Sequence, residues 1–484
     1  MSMNSSDYML VYLGANAHKE LVHQLLELNP AIRFLSSSIY PEAPVSLLED
    51  EAFNNAVIQF DSDLQMASGE IGFTPVNGYN QVPIIDAIMN DKHLPLLWAR
   101  FKSETRRCNQ SEVKRYEVVY SLIKASLEIC LTLKPGVVVF SYEPHMLPIY
   151  IFKKVAAALG IKTYTLTISP FVWRLFCEDA VGDRDLSRKG GLTKPEEVML
   201  DDSVQKLIDE KQGHYRGAKP FYEKRKPKGG LGGRLLNKLK VNGWNPRKAV
   251  LSQLAFAECQ GVSSERRQFQ GLKYICMFLQ YQPEQTTLPD GGLFVHQLFA
   301  IQMLYSAVAP MGISLVIREH PATFESVFDP KWRPRDYYRT IKSIGPNIYF
   351  DDIHADPFSL IENSVAVSSI NGSVLLEALL RGKPAVAFGK HTLRGLSSPA
   401  FVERFADEVE LGEKIARTSV ASPQSIVDDI EGYLYEVYPT TFGASRYLGN
   451  EAMSLEALRE SRNDALLQVV EQLLRVGAFP EQES

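Results

Sequence analysis

Cysteine is scarce in this 484-residue chain: Cys108, Cys130, Cys177, Cys259 and Cys276 are scattered, odd in number and never spaced as C-x-x-C. That usage argues against a disulfide framework and against a thiolate zinc site, and it fits a reducing compartment. Long hydrophobic runs are missing as well. No stretch approaches the ~18 apolar residues that span a bilayer. The opening MSMNSSDYMLVYLGAN has no basic region followed by a long apolar core, so no secretory signal is read there. The expectation is a cytoplasmic protein, soluble or peripherally bound. A large excess of one charge sign is also missing: the formal net charge of -5 gives no whole-chain case for nucleic acid as a partner.

What is present is an ordinary globular composition, 45% hydrophobic and 23% charged, on a chain too long for one core. The first half opens with YMLVYL, a β-rich run ending in Gly14-Ala15-Asn16, followed by a helical pattern in HKELVHQLLELN. A longer helix is predicted from about Val113 to Leu133, with Tyr116, Val119, Leu122, Ile123 and Leu127 forming one stripe. Lys134-Pro135-Gly136 breaks it, and VVVF (137–140) has the continuous apolar character of a strand in a parallel sheet. The turn Ser141 to His145, the helix IYIFKKVAAALG and the strand IKTYTLTI complete a β-α-β unit.

Between about Lys211 and Lys248 the texture changes to a Gly-containing stretch with eleven Lys and Arg residues past position 211 and Glu223 as its acid. It reads as a solvated linker or as a basic arm for anionic lipid or an anionic acceptor. The second half then restarts the α/β grammar with YICMFLQ, ISLVIRE, NIYFDD, VAVSS and PAVAFG separated by helical segments. The expected division is 1–210, an N-terminal Rossmann-like domain; 211–250, the basic insert; 251–450, a C-terminal nucleotide-binding domain; and 451–484, a terminal helix able to pack on either half.

Two strand-to-helix turns in the second half carry the chemistry. In SVAVSSINGSVLLEALLRG, Ser368, Ser369, Asn371, Gly372 and Ser373 are small or hydroxylated residues where a strand gives way to a helix, a place where backbone N–H groups meet a phosphate. Gly372 permits close approach, and Glu377, one helical turn past Ser373, can accept from ribose hydroxyls. The bland alternative is that these residues only cap the helix. In SLVIREHP, Pro321 stops the strand and projects His320 from the sheet edge, flanked by Arg318 and Glu319. His320 can offset the charge of a departing phosphate. An acceptor-activating base must come from the facing domain; Glu143, His145, Asp86 and Asp91 are candidates that spacing alone does not separate. Gln280, Gln282 and Glu284 follow the first strand of the second half and are expected to look into the cleft.

The order FLQYQPEQTTLPDGG, then IREHP, then SSINGSVLLEALLRGKPAVAFG resembles the C-terminal half of bacterial capsule and surface-polysaccharide glycosyltransferases, the group related to capsular Kdo transferases and other users of CMP-activated ulosonic acids. VVVFSYEPHMLPIYIFKKVAAALGIKTY is similar to that group's N-terminal EPH segment. Two departures are visible: the group's threonine-rich turn is written SSING, and the lysine before HP is replaced by Arg318-Glu319.

The resemblance implies a GT-B-like α/β fold, two doubly wound Rossmann-like domains facing across a cleft. It implies that His320 and the serines of Ser368 to Ser373 hold the donor phosphate. With the reading of the turns, the expected catalytic residues are His320, Glu143 and Asp91, the expected nucleotide site is Arg318, Ser368, Ser369, Asn371, Gly372, Ser373 and Glu377, and the expected acceptor contacts are His145, Gln282 and Glu284. The function it implies is transfer of Kdo, sialic or pseudaminic acid from a CMP-sugar to a glycan or glycolipid acceptor, at the inner face of the bacterial inner membrane. No metal is expected, and no cofactor besides the donor nucleotide sugar. The alternatives are a non-hydrolysing epimerase of the UDP-GlcNAc 2-epimerase type and a non-catalytic polysaccharide-assembly protein.

Overall fold

The computed structural model describes residues 8–475 except 14–16, 37–49, 60–81, 99–111, 185–193, 214–245, 264–267, 326–329, 397–399, 403–407, 419–420, 445–453 and positions 181, 183, 283, 285, 286, 394 and 395. Positions 214–245 of the basic arm, Gly14 to Asn16 and Cys108 therefore lie outside the described residues. The strands are β1 (Met9–Tyr12), β2 (Ile32–Ser36), β3 (Val57–Gln59), β4 (Val137–Phe140), β5 (Lys162–Ile168), β6 (Arg174–Glu178), β7 (Tyr274–Phe278), β8 (Ser314–Arg318), β9 (Ile348–Phe350), β10 (Ala366–Ser369), β11 (Ala385–Phe388), β12 (Ala400–Val402) and β13 (Phe442–Gly443).

The chain divides into two compact units: unit 1 holds Met1–Ser203, Glu436–Leu448 and Ala452–Ser484, and unit 2 holds Val204–Tyr435 and Gly449–Glu451. Two Rossmann-like α/β units are thus present, as expected, but their bounds differ from the expected ones. Unit 2 begins at Val204 and ends near Tyr435. The terminal helix Leu455–Arg475 is part of unit 1, because Ala465, Leu466, Val469, Val470 and Leu473 bury against Met9, Val11, Ile32 and Phe34 on one face of its sheet. Burying each such aliphatic side chain contributes about 1.5–3 kcal/mol.

The sheet of unit 1 runs β13-β6-β5-β4-β1-β2-β3. From β3 to β5 every pairing is parallel; β6 and β13 are antiparallel additions at one edge. Leu10, Val138 and Phe140 face the helices Glu112–Leu133 and Leu147–Ala158, which supply Leu122, Ile123, Leu127, Ile151 and Phe152. Tyr116 does not join that stripe; it is exposed.

The sheet of unit 2 runs β12-β11-β10-β7-β8-β9 with every pairing parallel. In chain order within the unit this is 6-5-4-1-2-3, the Rossmann order. The strands read as apolar runs for the reason parallel sheets do: Ile275, Met277, Leu315 and Ile317 bury on one face against the helices Gln297–Val308 and Tyr337–Ser343, and Tyr274, Cys276 and Val316 on the other. Helix ends follow their local chemistry. Asp356 accepts the Phe358 N–H to cap Pro357–Glu362, and Gly382, with φ +69°, ends the segment after Val374–Leu379, where a Cβ would meet Pro423 backbone at 2.8 Å.

At the antiparallel edge of unit 1 the wholly buried Arg174 ties three segments together. It donates to both Thr441 Oγ1 (2.7 Å) and Thr441 O (2.6 Å), to Ala444 O (2.7 Å), and through two nitrogens to Glu196 Oε1 (3.1 and 3.2 Å), with its guanidinium over the Tyr438 ring. Removing one partner strands the other charge in the interior. Arg174→Met should therefore lower unfolding stability by about 3–5 kcal/mol, read by thermal or urea unfolding, whereas the double variant Arg174→Met/Glu196→Leu should recover part of the loss; equal stability of the single variant and the wild type would refute the assignment.

Candidate functional site

The chain leaves β7 toward β8 on one side and leaves β10 toward β11 on the other, yet β7 and β10 are neighbours in the sheet. The loops at their carboxyl ends must diverge, opening a crevice at which doubly wound sheets bind ligands. The residues at this switch point are Leu279 to Gln282 after β7 and Ile370 to Ser373 after β10.

These turns are tied to one another. Gln280 Oε1 accepts the Asn371 N–H (3.2 Å), and the Ser369 hydroxyl donates to Phe278 O (3.0 Å). On the other side Asn371 Nδ2 donates to Lys390 O (3.1 Å) and His391 Nε2 lies 3.4 Å from Gly372 O, so the turn after β11 braces the turn after β10. His391 is buried, which pushes its pKa down to about 4, and its Nδ1 accepts the Leu393 N–H; the neutral ring therefore carries its proton on Nε2, facing that carbonyl. Gly389 has φ +129° and a Cβ there would sit 2.8 Å from Asp290 O, so glycine alone fits this close backbone approach.

A buried polar network links the switch point to the turn after β8. Glu319 is a residue whose carboxylate accepts five hydrogen bonds: from Arg333 Nε (2.6 Å) and a second Arg333 nitrogen (3.1 Å), Tyr338 OH (2.8 Å), Thr323 Oγ1 (3.1 Å) and the His320 N–H (2.7 Å). Burial works to raise its pKa, but the Arg333 charge and these donors outweigh that and hold it below the ordinary carboxylate value. Arg333 also donates to Gln282 Oε1 (2.9 Å) and Gln280 O (3.1 Å), and Gln297 bridges Gln280 and Gln282. A continuous chain of hydrogen bonds thus runs from Asn371 through Gln280 and Arg333 to Glu319 and the His320 backbone. His320 Nδ1 accepts the Ala322 N–H (3.1 Å), which in the neutral ring leaves the proton on Nε2.

The other expected residues fall in varied places. Arg318 is a buried structural group, donating to Asp351 Oδ2 (2.6 Å), Ile353 O (3.1 Å) and Ala355 O (2.5 Å), and Arg318 and Glu319 do not flank His320 as exposed charges. Gln282 does not look outward; it is buried between Val295 O, Gln297 and Arg333. Ser368 is wholly buried, with Met277 and Val386 as its register partners, so it belongs to the sheet core and not to the turn. Ser373 is exposed at the start of a six-residue helix and makes no side-chain cap. Glu377 is paired with Lys211 at 3.1 Å. Glu284 is exposed in the loop beyond β7, where its carbonyl accepts from Thr287 and Leu288 N–H.

Unit 1 has its own switch point, between β1 and β4. Glu143 and His145 lie just past β4; Glu143 pairs with Lys153 (3.1 Å), His145 Nδ1 lies 3.0 Å from Glu143 O, and Tyr142 packs at a tilt beside the His145 ring and shares a 2.8 Å hydrogen bond with Tyr12. Asp91 is placed against the first turn of the helix Leu147–Ala158 and is already occupied: Oδ1 accepts from Tyr150 OH (2.9 Å) and the His93 N–H (2.8 Å), and Oδ2 pairs with Lys154 (2.9 Å). Partial burial opposes ionisation there, but His93 and Lys154 outweigh it and hold the carboxyl well below its usual range, which makes it a weak proton acceptor.

Sequence reasoning placed no role on Arg333, Gln297, Lys390, His391 or Lys211. For His391 a signal existed: KHT directly follows the strand PAVAFG, as HP follows SLVIRE. Arg333 and Lys211 had none, because their partners lie 14 and 166 positions away.

No protein-family model matches the chain, and no curated protein matches it. Solved structures overlap it loosely. A UDP-GlcNAc 2-epimerase of Methanocaldococcus jannaschii, in complex with UDP-GlcNAc and UDP, is 12% identical at a TM-score of 0.26, covering 88% of this chain and 99% of that one. KpsC of Thermosulfurimonas dismutans, a beta Kdo 2,7 transferase, is 10% identical at 0.29 over 64% of this chain and 89% of that one. The N-terminal domain of a Candida albicans trehalose-6-phosphate phosphatase is 11% identical at 0.31 over 97% of both. With overlaps this loose, the fold rests on the strand order of each unit.

Proposed function

We propose that this chain is a nucleotide-sugar-dependent glycosyltransferase whose unit 2 binds the donor nucleotide, with a CMP-activated ulosonic acid such as Kdo, sialic or pseudaminic acid as donor and a surface glycan or glycolipid as acceptor. The observation that carries the reading is the strand-order reversal at β7 and β10, where the Ser369–Ser373 turn and the His320 turn are held by one hydrogen-bonded network. The donor class is taken from the resemblance in the IREHP and SSING segments.

In this mechanism the acceptor hydroxyl oxygen bonds to the sugar's anomeric carbon as the bond from that carbon to the CMP phosphate oxygen breaks, and charge gathers on the departing phosphate. The Nε2–H of His320 donates to that phosphate, and backbone N–H groups of the Gly372–Ser373 turn supply further donors. Glu319 and Arg333 touch no ligand; they fix the His320 main chain. On the acceptor side we assign proton removal to Glu143 in the turn after β4, because, against partial burial, His93 and Lys154 hold the Asp91 carboxyl below its usual range and make it a weak proton acceptor. The neighbouring Lys153 holds the Glu143 carboxylate at the edge of β4. The Lys and Arg residues of segment 211–250 that follow Lys211 are assigned to the anionic surface of the inner membrane.

Titration calorimetry should register CMP binding to the full chain, and His320→Ala should weaken it about 10- to 100-fold, the worth of one hydrogen bond to a charged group; a wild-type chain that binds no nucleotide would sink the reading. Incubation with CMP-sugars should release CMP, whereas a C2 epimer formed from UDP-GlcNAc would replace transfer by epimerisation. Glu143→Gln should lower kcat by about 10²- to 10⁴-fold while CMP affinity stays at the wild-type value; an unchanged kcat would remove Glu143 from the chemistry. Sedimentation with anionic liposomes should carry the protein down at low salt and lose it as ionic strength rises past about 0.15 M; no sedimentation at low salt would remove the membrane assignment.

A further inference from the structure

The Lys211–Glu377 contact belongs to a closed ring of interactions within unit 2. Glu377 lies in the helix Val374–Leu379 and its N–H bonds Ser373 O at 3.2 Å, so its backbone is continuous with the turn after β10. Its Oε1 takes Lys211 Nζ at 3.1 Å; among the described residues Oε2 has no hydrogen-bond donor. Lys211 stands in the last turn of the helix Lys194–Gln212. The end of that helix is gripped by the same short segment that carries Glu377. Arg381, four residues past Glu377, donates to Lys211 O (3.1 Å), Gln212 O (3.0 Å) and Gly213 O (2.8 Å), and Gln212 Nε2 donates to Leu380 O (2.9 Å). Arg381 is itself fixed by Glu362 (2.8 Å) and by the Phe358 ring under its guanidinium (3.8 Å).

A glutamate on a helix has three side-chain torsions to lose before it can accept from a ribose 2′-hydroxyl, and that loss weakens binding. Here the loss has already occurred: Lys211 holds one oxygen, its own backbone is held by Arg381, and the side chains of Lys211 and Glu377 are 11% and 15% exposed, where an ion pair is less screened than at the surface. The planar carboxylate therefore presents Oε2 in one orientation.

We propose that Lys211 is a positioning residue that gives the unit 2 site its selectivity for a ribose over a deoxyribose, by fixing Glu377 so that Oε2 accepts from the ribose 2′-hydroxyl. This rests on the nucleotide reading of the turn after β10.

The test is calorimetric titration of the full chain with CMP and with 2′-deoxy-CMP, on wild type, Lys211→Met, Lys211→Gln and Lys211→Arg, with thermal unfolding of each alongside. The wild type is expected to prefer CMP about 10-fold. Lys211→Met and Lys211→Gln should bring the two affinities within about 2-fold by weakening CMP alone, and Lys211→Arg should restore most of the preference. Equal weakening of both nucleotides in the Met and Gln variants would make Lys211 merely structural and overturn the proposal, as would retention of the 10-fold preference. A wild type that binds both nucleotides alike overturns it while leaving the nucleotide site standing. A wild type that binds neither removes the nucleotide reading, and this proposal with it.

Discussion

The buried pair Glu319–Arg333 is the interaction on which the carboxyl edge of unit 2 depends. Two full charges in the interior are costly unless every lone pair and N–H finds a partner. That requirement dictates the surroundings: Tyr338, Thr323 and the His320 N–H converge on the carboxylate, while Gln280, Gln282 and the Trp332 carbonyl converge on the guanidinium. The loops after β7 and β8 and the start of the helix Tyr337–Ser343 are drawn to one place because this pair must be satisfied. An apolar pair of similar volume would fold as well, but it would not orient the His320 turn.

Unit 1 uses the same device at its antiparallel edge. Arg174 and Glu196 join β6, the short strand β13 and the helix Lys194–Gln212. Arginine suits both positions because its fixed fork of donors can serve a carboxylate and several carbonyls at once, which a lysine ammonium cannot. The consequence for function differs. At Arg333 the network stands behind a candidate ligand site, and at Arg174 it closes the antiparallel edge of the sheet, two strands away from the β4 turn that carries Glu143.

Much of the framework was legible from local pattern. The runs VVVF, YICMF, SLVIR and AVAF are strands because side chains of parallel strands between helices bury on both faces, and that condition leaves a mark on adjacent residues. Breaks at Lys134-Pro135-Gly136 and His320-Pro321 were equally local. β3, β12 and β13 were missed, being only two or three residues long, and β2 and β6 were missed because Arg33, Arg174 and Glu178 break the apolar character of their runs. Among the expected site residues, Asn371, Gly372 and Gln282 lie at the strand-order reversal and His320 in the neighbouring turn after β8, but Arg318 and Gln282 are buried in other hydrogen bonds and Ser368 lies in the sheet core. A residue's type and spacing announce what it can bond, not which of several partners reaches it first: Arg318 found Asp351 and two carbonyls, and Gln282 found Arg333.

By itself the sequence determined an α/β chain with two cores, strand-to-helix turns of small polar residues, and a histidine halted at a sheet edge by proline, because each follows from the side-chain pattern of a few consecutive residues. Tertiary structure alone decided that the terminal helix completes unit 1, that β7 and β10 are neighbours, that Asp91 is already paired, and that Lys211 holds Glu377. Those outcomes depend on contacts between residues tens to hundreds of positions apart, and such contacts are selected by the packing and charge satisfaction of the whole unit, which no local window contains.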